Sequence, residues 1–221
     1  IILLGAGSEE SVERSEIPAA TPGVLSASVT GIRTRAGVTY VSPEVHVMLP
    51  VAAGNAARGG SDDVSSSPKA KLRQVMLRGV TPAAALVHES VSLTEGRWPA
   101  SGSDEVMVGR MVATVLGLTA SDVQIGKSLT IDGRAWVIVG RFSAPGTVVE
   151  AEVWLPLADV MTATKRDTIS CVVLTLDPYD EATGEGAEFA DIAAFTKTRP
   201  DLELVPMTER EYYAKLASFF G

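Results

Sequence analysis

The sequence contains one cysteine, Cys171, so it closes no internal disulfide and builds no thiolate metal cluster. Histidine is nearly as scarce, with only His46 and His88. Aromatic residues make up 5% of the chain, which leaves Trp98, Trp136 and Trp154 as exceptions that need an account. Basic charge is in deficit: 19 Lys and Arg face 27 Asp and Glu, for a formal charge of −8. A negative field repels phosphate, so no nucleic-acid partner is expected. No apolar run approaches the ~20 residues of a membrane helix. Ile1-Ile2-Leu3-Leu4 lacks the basic flank and the length of a secretory signal.

What remains is an ordinary globular composition, 46% apolar and 21% charged. At 221 residues a folded chain buries roughly 70% of its unfolded surface, enough for a core without covalent staples. The chain opens without Met in an apolar run and stops at Ser218-Phe219-Phe220-Gly221. Soluble termini are usually polar, so a segment of a longer protein is expected.

The chemistry-bearing patterns are incomplete. His88-Glu89 begins like a zinc-protease helix, but Ser92 stands where the second ligand belongs. His46 falls on an expected strand with no other ligand type beside it in sequence. Gly126-Lys127-Ser128 ends like a phosphate loop, yet Ser121 occupies the leading glycine position and a strand, not a helix, is expected next. Ser66 and Lys69 share the spacing of a nucleophile pair inside a polar loop that supplies no burial. Gly5-Ala6-Gly7-Ser8 is too short for a dinucleotide fingerprint. Cys171 sits in an apolar strand and reads as an inert core thiol. Glu150 and Glu152 are the only acidic pair nameable as acid and base, and on an alternating strand they read as a solvated face. Trp98, Trp136 and Trp154 read as core packing, with Trp98 alternatively an exposed contact anchor. The sequence thus assigns no catalytic residue, no cofactor and no metal, and the chain reads as a non-enzyme.

Along the chain, Ile1 to Leu4 predicts a buried strand, and Thr21-Pro22 opens a helix that Gly37 closes. Val38 to Leu49 alternates as a half-buried strand, with Val45, Val47 and Leu49 on one face and Glu44, His46 and Met48 on the other. Residues 53–71 are Gly/Ser/Asp-rich and read as a mobile loop. Strands follow at 73–77 and 105–108, with a tight loop at 95–99 and a short helix over 111–116 ended by Gly117. Asp132-Gly133 between two strand-like runs predicts a two-residue hairpin. Val148 to Leu155 alternates, and 156–164 is a short helix. Ile169 to Leu176 is apolar on both faces, as a central strand would be. Phe189, Ile192, Ala193 and Thr196 form a helical stripe ended by Pro200, and 202–205 is a strand. Thr208 with Glu211 is a capping box that opens a last helix carrying Tyr212, Tyr213, Leu216, Phe219 and Phe220. The outer segments read β-α-β and β-α-β-α around a strand-rich middle, an α+β chain with a discontinuous outer subdomain and an insertion.

The order of several blocks resembles a known family. Val75 to Val80, Glu95-Gly96-Arg97-Trp98-Pro99, Asp104 to Gly109, Ile125 to Leu129, Asp132-Gly133-Arg134, Val137 to Gly140 and Trp154-Leu155-Pro156-Leu157 follow one another as in the periplasmic core domain of MacB-like and FtsX-like ABC transporter permeases. Ile1 to Glu10 and Pro43-Glu44 are similar to that family's first strand-helix-strand unit. The resemblance implies a porter-like α/β subdomain over 1–71 and 166–221 and an inserted, mostly β, sabre-like subdomain over 72–165. It implies a periplasmic domain anchored by flanking membrane helices, and an ATPase on a separate domain or subunit. A homodimer in the full-length protein and a periplasmic adaptor protein are further implications. The implied role is transmission of ATP-driven conformational change to a periplasmic substrate or partner, in efflux or in lipoprotein or lipid export. Two other readings stand beside it: a small-ligand or protein-binding module without a transport role, and a hydrolase using Glu150 and Glu152.

Overall fold

A computed structural model describes residues 1–54 and 71–219. The mobile loop read over 53–71 and the terminal Phe220 therefore lie, at 55–70 and 220–221, outside the described residues. In chain order the elements are β1 (Ile2–Gly5), β2 (Ile17–Pro18), α1 (Thr21–Ser28), β3 (Thr34–Arg35), β4 (Val38–Thr39) and β5 (Val41–Ala53). Then come β6 (Arg73–Val80), α2 (Ala84–Val87), β7 (Ser92–Gly96), β8 (Glu105–Gly109), α3 (Val112–Leu116), β9 (Ser128–Ile131) and β10 (Arg134–Ser143). β11 (Val153–Pro156), α4 (Leu157–Thr164), β12 (Thr168–Ile169), β13 (Cys171–Leu174), α5 (Phe189–Thr198), β14 (Leu204–Met207) and α6 (Glu209–Phe219) complete the chain. The chain is α+β, as its patterning implied. Among the described residues no helix is long and apolar enough to cross a membrane.

The fold divides into two compact units, one of residues 1–46, 80–89 and 161–219, the other of 47–54, 71–79 and 90–160. The 80–89 segment thus falls with the outer residues rather than with the strand-rich middle.

In the first unit the strands lie in the order β14-β1-β13-β5, each pair antiparallel. β1 and β5 therefore run the same way with β13 between them, and β13 and β14 run the same way with β1 between them. These are two interleaved split β-α-β units, joined by α1 and α5. β1 and β13 are buried along their whole length, which accounts for their unbroken apolar runs. Ile2, Leu4, Val173 and Met207 pack with Val12, Val87 and Tyr212 to form this unit's core.

In the second unit the pairings close on themselves: β5, β6, β11, β8, β10, β9 and back to β5. The β9–β10 hairpin turns at Asp132-Gly133, whose φ values of 47° and 79° are the two positive angles this turn demands. β9 pairs β10 on one side and the end of β5 on the other, with Val51 opposite Ile131. Among the described residues each strand of the ring has a neighbour on both sides, and Leu129, Trp136, Ile138, Phe142 and Trp154 on these strands are buried.

Three readings are corrected. α1 ends at Ser28, not at Gly37, because β-branched Val29 and Thr30 and a left-handed Gly31 (φ 83°) follow. Gly37 instead sits with Ala36 in the β3–β4 turn, both at positive φ. Residues 148–151 form a 3-10 turn and the strand begins only at Val153. Residues 92–96 form a strand, β7, on the Gly140–Ser143 end of β10.

Candidate functional site

Among the described residues, a dense group of reactive side chains lies in the first unit, on the β5–β13 pair. Glu44 is the direct cross-strand partner of Cys171, and His46 is two residues further along β5. A strand repeats every second residue, so these three share one face. Sequence reading put Glu44 and His46 on the face of a half-buried strand opposite Val45, Val47 and Leu49. The structure buries them at 0% and 2% exposure. His46 Nε2 lies 2.9 Å from Glu44 Oε2 and 3.8 Å from Cys171 Sγ. His88, just past the end of α2, brings its Nε2 into short contact with Glu44 Oε1. Ser42 Oγ donates to that same oxygen at 3.1 Å. The backbone is tied at the same place: Ser170 Oγ accepts from the His46 N–H at 3.0 Å, and the Ser170 N–H donates to Glu44 O at 2.8 Å. A carboxylate oxygen of Glu44, a ring nitrogen of His46 and Sγ of Cys171 all fall within 4.8 Å of one another, a spacing that a metal ion could bridge.

The two histidines looked isolated in sequence, and the fold brings them to one carboxylate. Only the strand periodicity hinted at this. Glu44 and His46 are of one parity, and Cys171 lies on the other long apolar strand.

In the second unit the acidic pair is not a solvated face. Glu150 and Glu152 are each 5% exposed. The 3-10 turn breaks the alternation and rotates both inward. The Glu150 carboxylate receives Arg110 Nη2 at 3.2 Å, Ser143 Oγ at 3.1 Å and the Ala144 N–H at 3.2 Å. The guanidinium of Arg110 holds it below the usual carboxylate range. Glu152 faces Arg78 and the indole of Trp154. Trp154 and Trp136 are core residues, as read. Trp98 is half-buried, its ring centroid 6.2 Å from that of Trp154, which makes it part of the packing.

The remaining patterns are placed as follows. Gly126-Lys127-Ser128 leads directly into β9, so no helix N-terminus follows it. Gly5 ends β1 with its N–H donated to Ser15 Oγ at 2.8 Å. Ser92 begins β7, apart from any helix carrying His88. Ser66 and Lys69 lie outside the described residues.

Exposed ion pairs decorate both units. Asp177 accepts from Arg35 and Arg33, and these two guanidinium groups pull its carboxyl down to about 2. Arg97 does the same for Glu105, also to about 2, helped by the Ala100 N–H.

The model of one family, described as MacB-like periplasmic core domain, matches residues 1–188. Solved structures share the fold. The periplasmic region of MacB from Actinobacillus actinomycetemcomitans superposes with a TM-score of 0.63 at 12% identity, over 99% of this chain and 91% of that one. The extracellular domain of the noncanonic ABC-type transporter YknZ from Gram-positive bacteria gives 0.60 at 13% identity, over 94% and 99%. A domain of a putative permease protein from Porphyromonas gingivalis gives 0.54 at 14% identity, over 94% and 89%. No curated protein matches the chain.

Proposed function

The chain belongs to the family of MacB-like periplasmic core domains, and from that premise we propose that it is the moving extracytoplasmic part of an ABC transporter permease, relaying ATP-driven conformational change to a substrate or partner protein. The family makes it a component of an ABC transporter, which works with an ATPase. In this reading the chain performs no catalysis. The outer residues act as the porter-like subdomain and the strand-rich middle as the sabre-like one. The full-length protein is a homodimer held by flanking membrane helices, and it serves efflux or the export of lipoprotein or lipid, with or without a periplasmic adaptor.

One observation supports the relay above the others. The chain passes between the two compact units at 46/47, 79/80, 89/90 and 160/161. The first of these crossings lies inside β5, which runs unbroken from Val41 to Ala53. Motion imposed on the outer residues therefore has several covalent routes into the middle ones. A relay needs two packed bodies with more than one arrangement, rather than a reactive site.

The test uses spin labels at Ala182→Cys and Ser101→Cys, exposed positions in the first and second unit, in the full-length transporter in membranes. The distance distribution between the labels is expected to differ between the nucleotide-free and the ATP-trapped states. Identical distributions in both states would overturn the relay.

A further inference from the structure

We propose that Glu44, His46 and Cys171 form a binding site for one divalent transition-metal ion, with zinc the cation the donors select. The site would use Glu44 Oε2, His46 Nε2 and Cys171 Sγ. Zinc held at about 2.0–2.3 Å by tetrahedrally arranged O, N and S donors sets those donors ~3.3–3.6 Å apart. The Sγ–Nε2 separation of 3.8 Å and the Oε2–Nε2 separation of 2.9 Å each need to change by only a few tenths of an ångström. One carboxylate oxygen, one imidazole nitrogen and one thiolate sulfur form a borderline set. Magnesium and calcium call for oxygen throughout, whereas zinc accepts this mixture. Three protein donors leave the fourth position to a water molecule.

The surroundings orient the carboxylate for this role. Ser42 Oγ and His88 Nε2 both engage Oε1 of Glu44, and Oε2 faces His46. His88 is itself flanked on its other ring nitrogen by Glu209, with Oε1 4.0 Å from Nδ1. Outer partners of this kind fix a ligating carboxylate and tune its basicity. Charge points the same way. Once the metal is bound, the Glu44 carboxylate and the Cys171 thiolate, in residues exposed by 2% or less, sum to −2, which a divalent cation neutralises.

Loading displaces protons. The Cys171 thiol proton leaves to solvent as the sulfur–metal bond forms. His46 ligates through the Nε2 lone pair with its ring proton on Nδ1. Affinity accordingly rises with pH.

The 221-residue chain, stripped with EDTA and exchanged into chelator-free buffer, is mixed with zinc sulfate and then desalted. The expected result is about one zinc retained per chain, with a higher melting temperature than the stripped chain. Cys171→Ser and His46→Gln are each expected to retain less than about a tenth of that zinc. With cobalt(II) in place of zinc, the wild-type chain should show a near-ultraviolet thiolate charge-transfer band that Cys171→Ser lacks. No retained zinc, or equal retention by wild type and both variants, would overturn the site. So would a wild-type cobalt spectrum without the thiolate band, a readout that does not depend on either variant folding.

Discussion

Arg78 and Glu152 grip each other through two parallel hydrogen bonds in the interior of the second unit. Arg78 Nε donates to Oε2 and Nη2 to Oε1, both at 2.8 Å, with the two side chains 3% and 6% exposed. Trp154 seals the pair: its indole N–H donates to Glu152 Oε2 at 2.7 Å, and the guanidinium lies 5.2 Å from a Trp154 ring centroid. Removing one charge strands the other in a dry setting. Glu152→Ala should therefore cost about 3–5 kcal/mol, while Arg78→Met combined with Glu152→Leu recovers most of it. Urea titrations of the three chains measure both. A loss below about 1 kcal/mol for Glu152→Ala would mean that the pair behaves as if it were solvated.

Gly109 is placed by contact rather than by backbone angle. A Cβ there would meet Glu150 O at 2.3 Å, and the Gly109 N–H already donates to Glu152 O at 3.0 Å. Gly109→Ala forces backbone apart and should destabilise by about 1–3 kcal/mol. Gly23, within α1, has nothing within 4 Å of the same added atom and no positive φ. Gly23→Ala should stabilise by roughly 0.5–1 kcal/mol. The opposite signs are read from denaturation midpoints.

Asp177 gives a pH signature. Arg35 donates to both its oxygens, at 2.9 and 2.7 Å, and Arg33 Nε to one at 2.9 Å. Its carboxyl lies near 2 in the fold, below the ordinary aspartate value that the unfolded chain retains. The folded value is the lower one, so the stabilisation is complete above the unfolded value. It fades as pH falls toward 2. The gap in melting temperature between wild type and Asp177→Asn should be widest above pH 5 and close as pH drops to about 2. A gap that stays constant over that range would remove the ion pair as its cause. Added salt should narrow it, since the group is partly exposed.

α6 begins with a reciprocal cap. Thr208 Oγ1 accepts from the Glu211 N–H at 3.1 Å, and Glu211 Oε2 accepts from the Thr208 N–H at 2.9 Å. Thr208→Ala should lower stability by about 1 kcal/mol. A urea midpoint that falls at constant slope is the expected readout. Thr208→Ser should restore most of the loss.

Local features with a complete local cause were legible from the residues. Asp132-Gly133 demands two positive φ angles, and the hairpin forms there. Gly117 caps α3 in the left-handed region. Thr208 and Glu211 announce their own helix start. Where a local pattern had two outcomes, reading went astray. The spacing of Val24, Leu25, Val29 and Ile32 suited a longer helix, yet α1 stops at Ser28. The alternation through Glu150 and Glu152 suited a strand, yet a 3-10 turn carries both inward. Periodicity reports which residues repeat, but not which side a later segment will cover.

By itself the sequence determined the α+β class, the order of the blocks that mark the family, the turns and caps, and the apolar runs that become β1 and β13. Those depend on neighbours a few residues away, through φ preference, capping and side-chain period. Tertiary structure alone decided that Glu44, His46, His88 and Cys171 meet, that Arg78 reaches Glu152, and that β9 closes the ring against β5. His46 and Cys171 are 125 residues apart in the chain, and Arg78 and Glu152 are 74 apart. Their proximity follows from strand pairing and burial across the whole fold, where a polar side chain is held inside only because another polar group is already there to meet it.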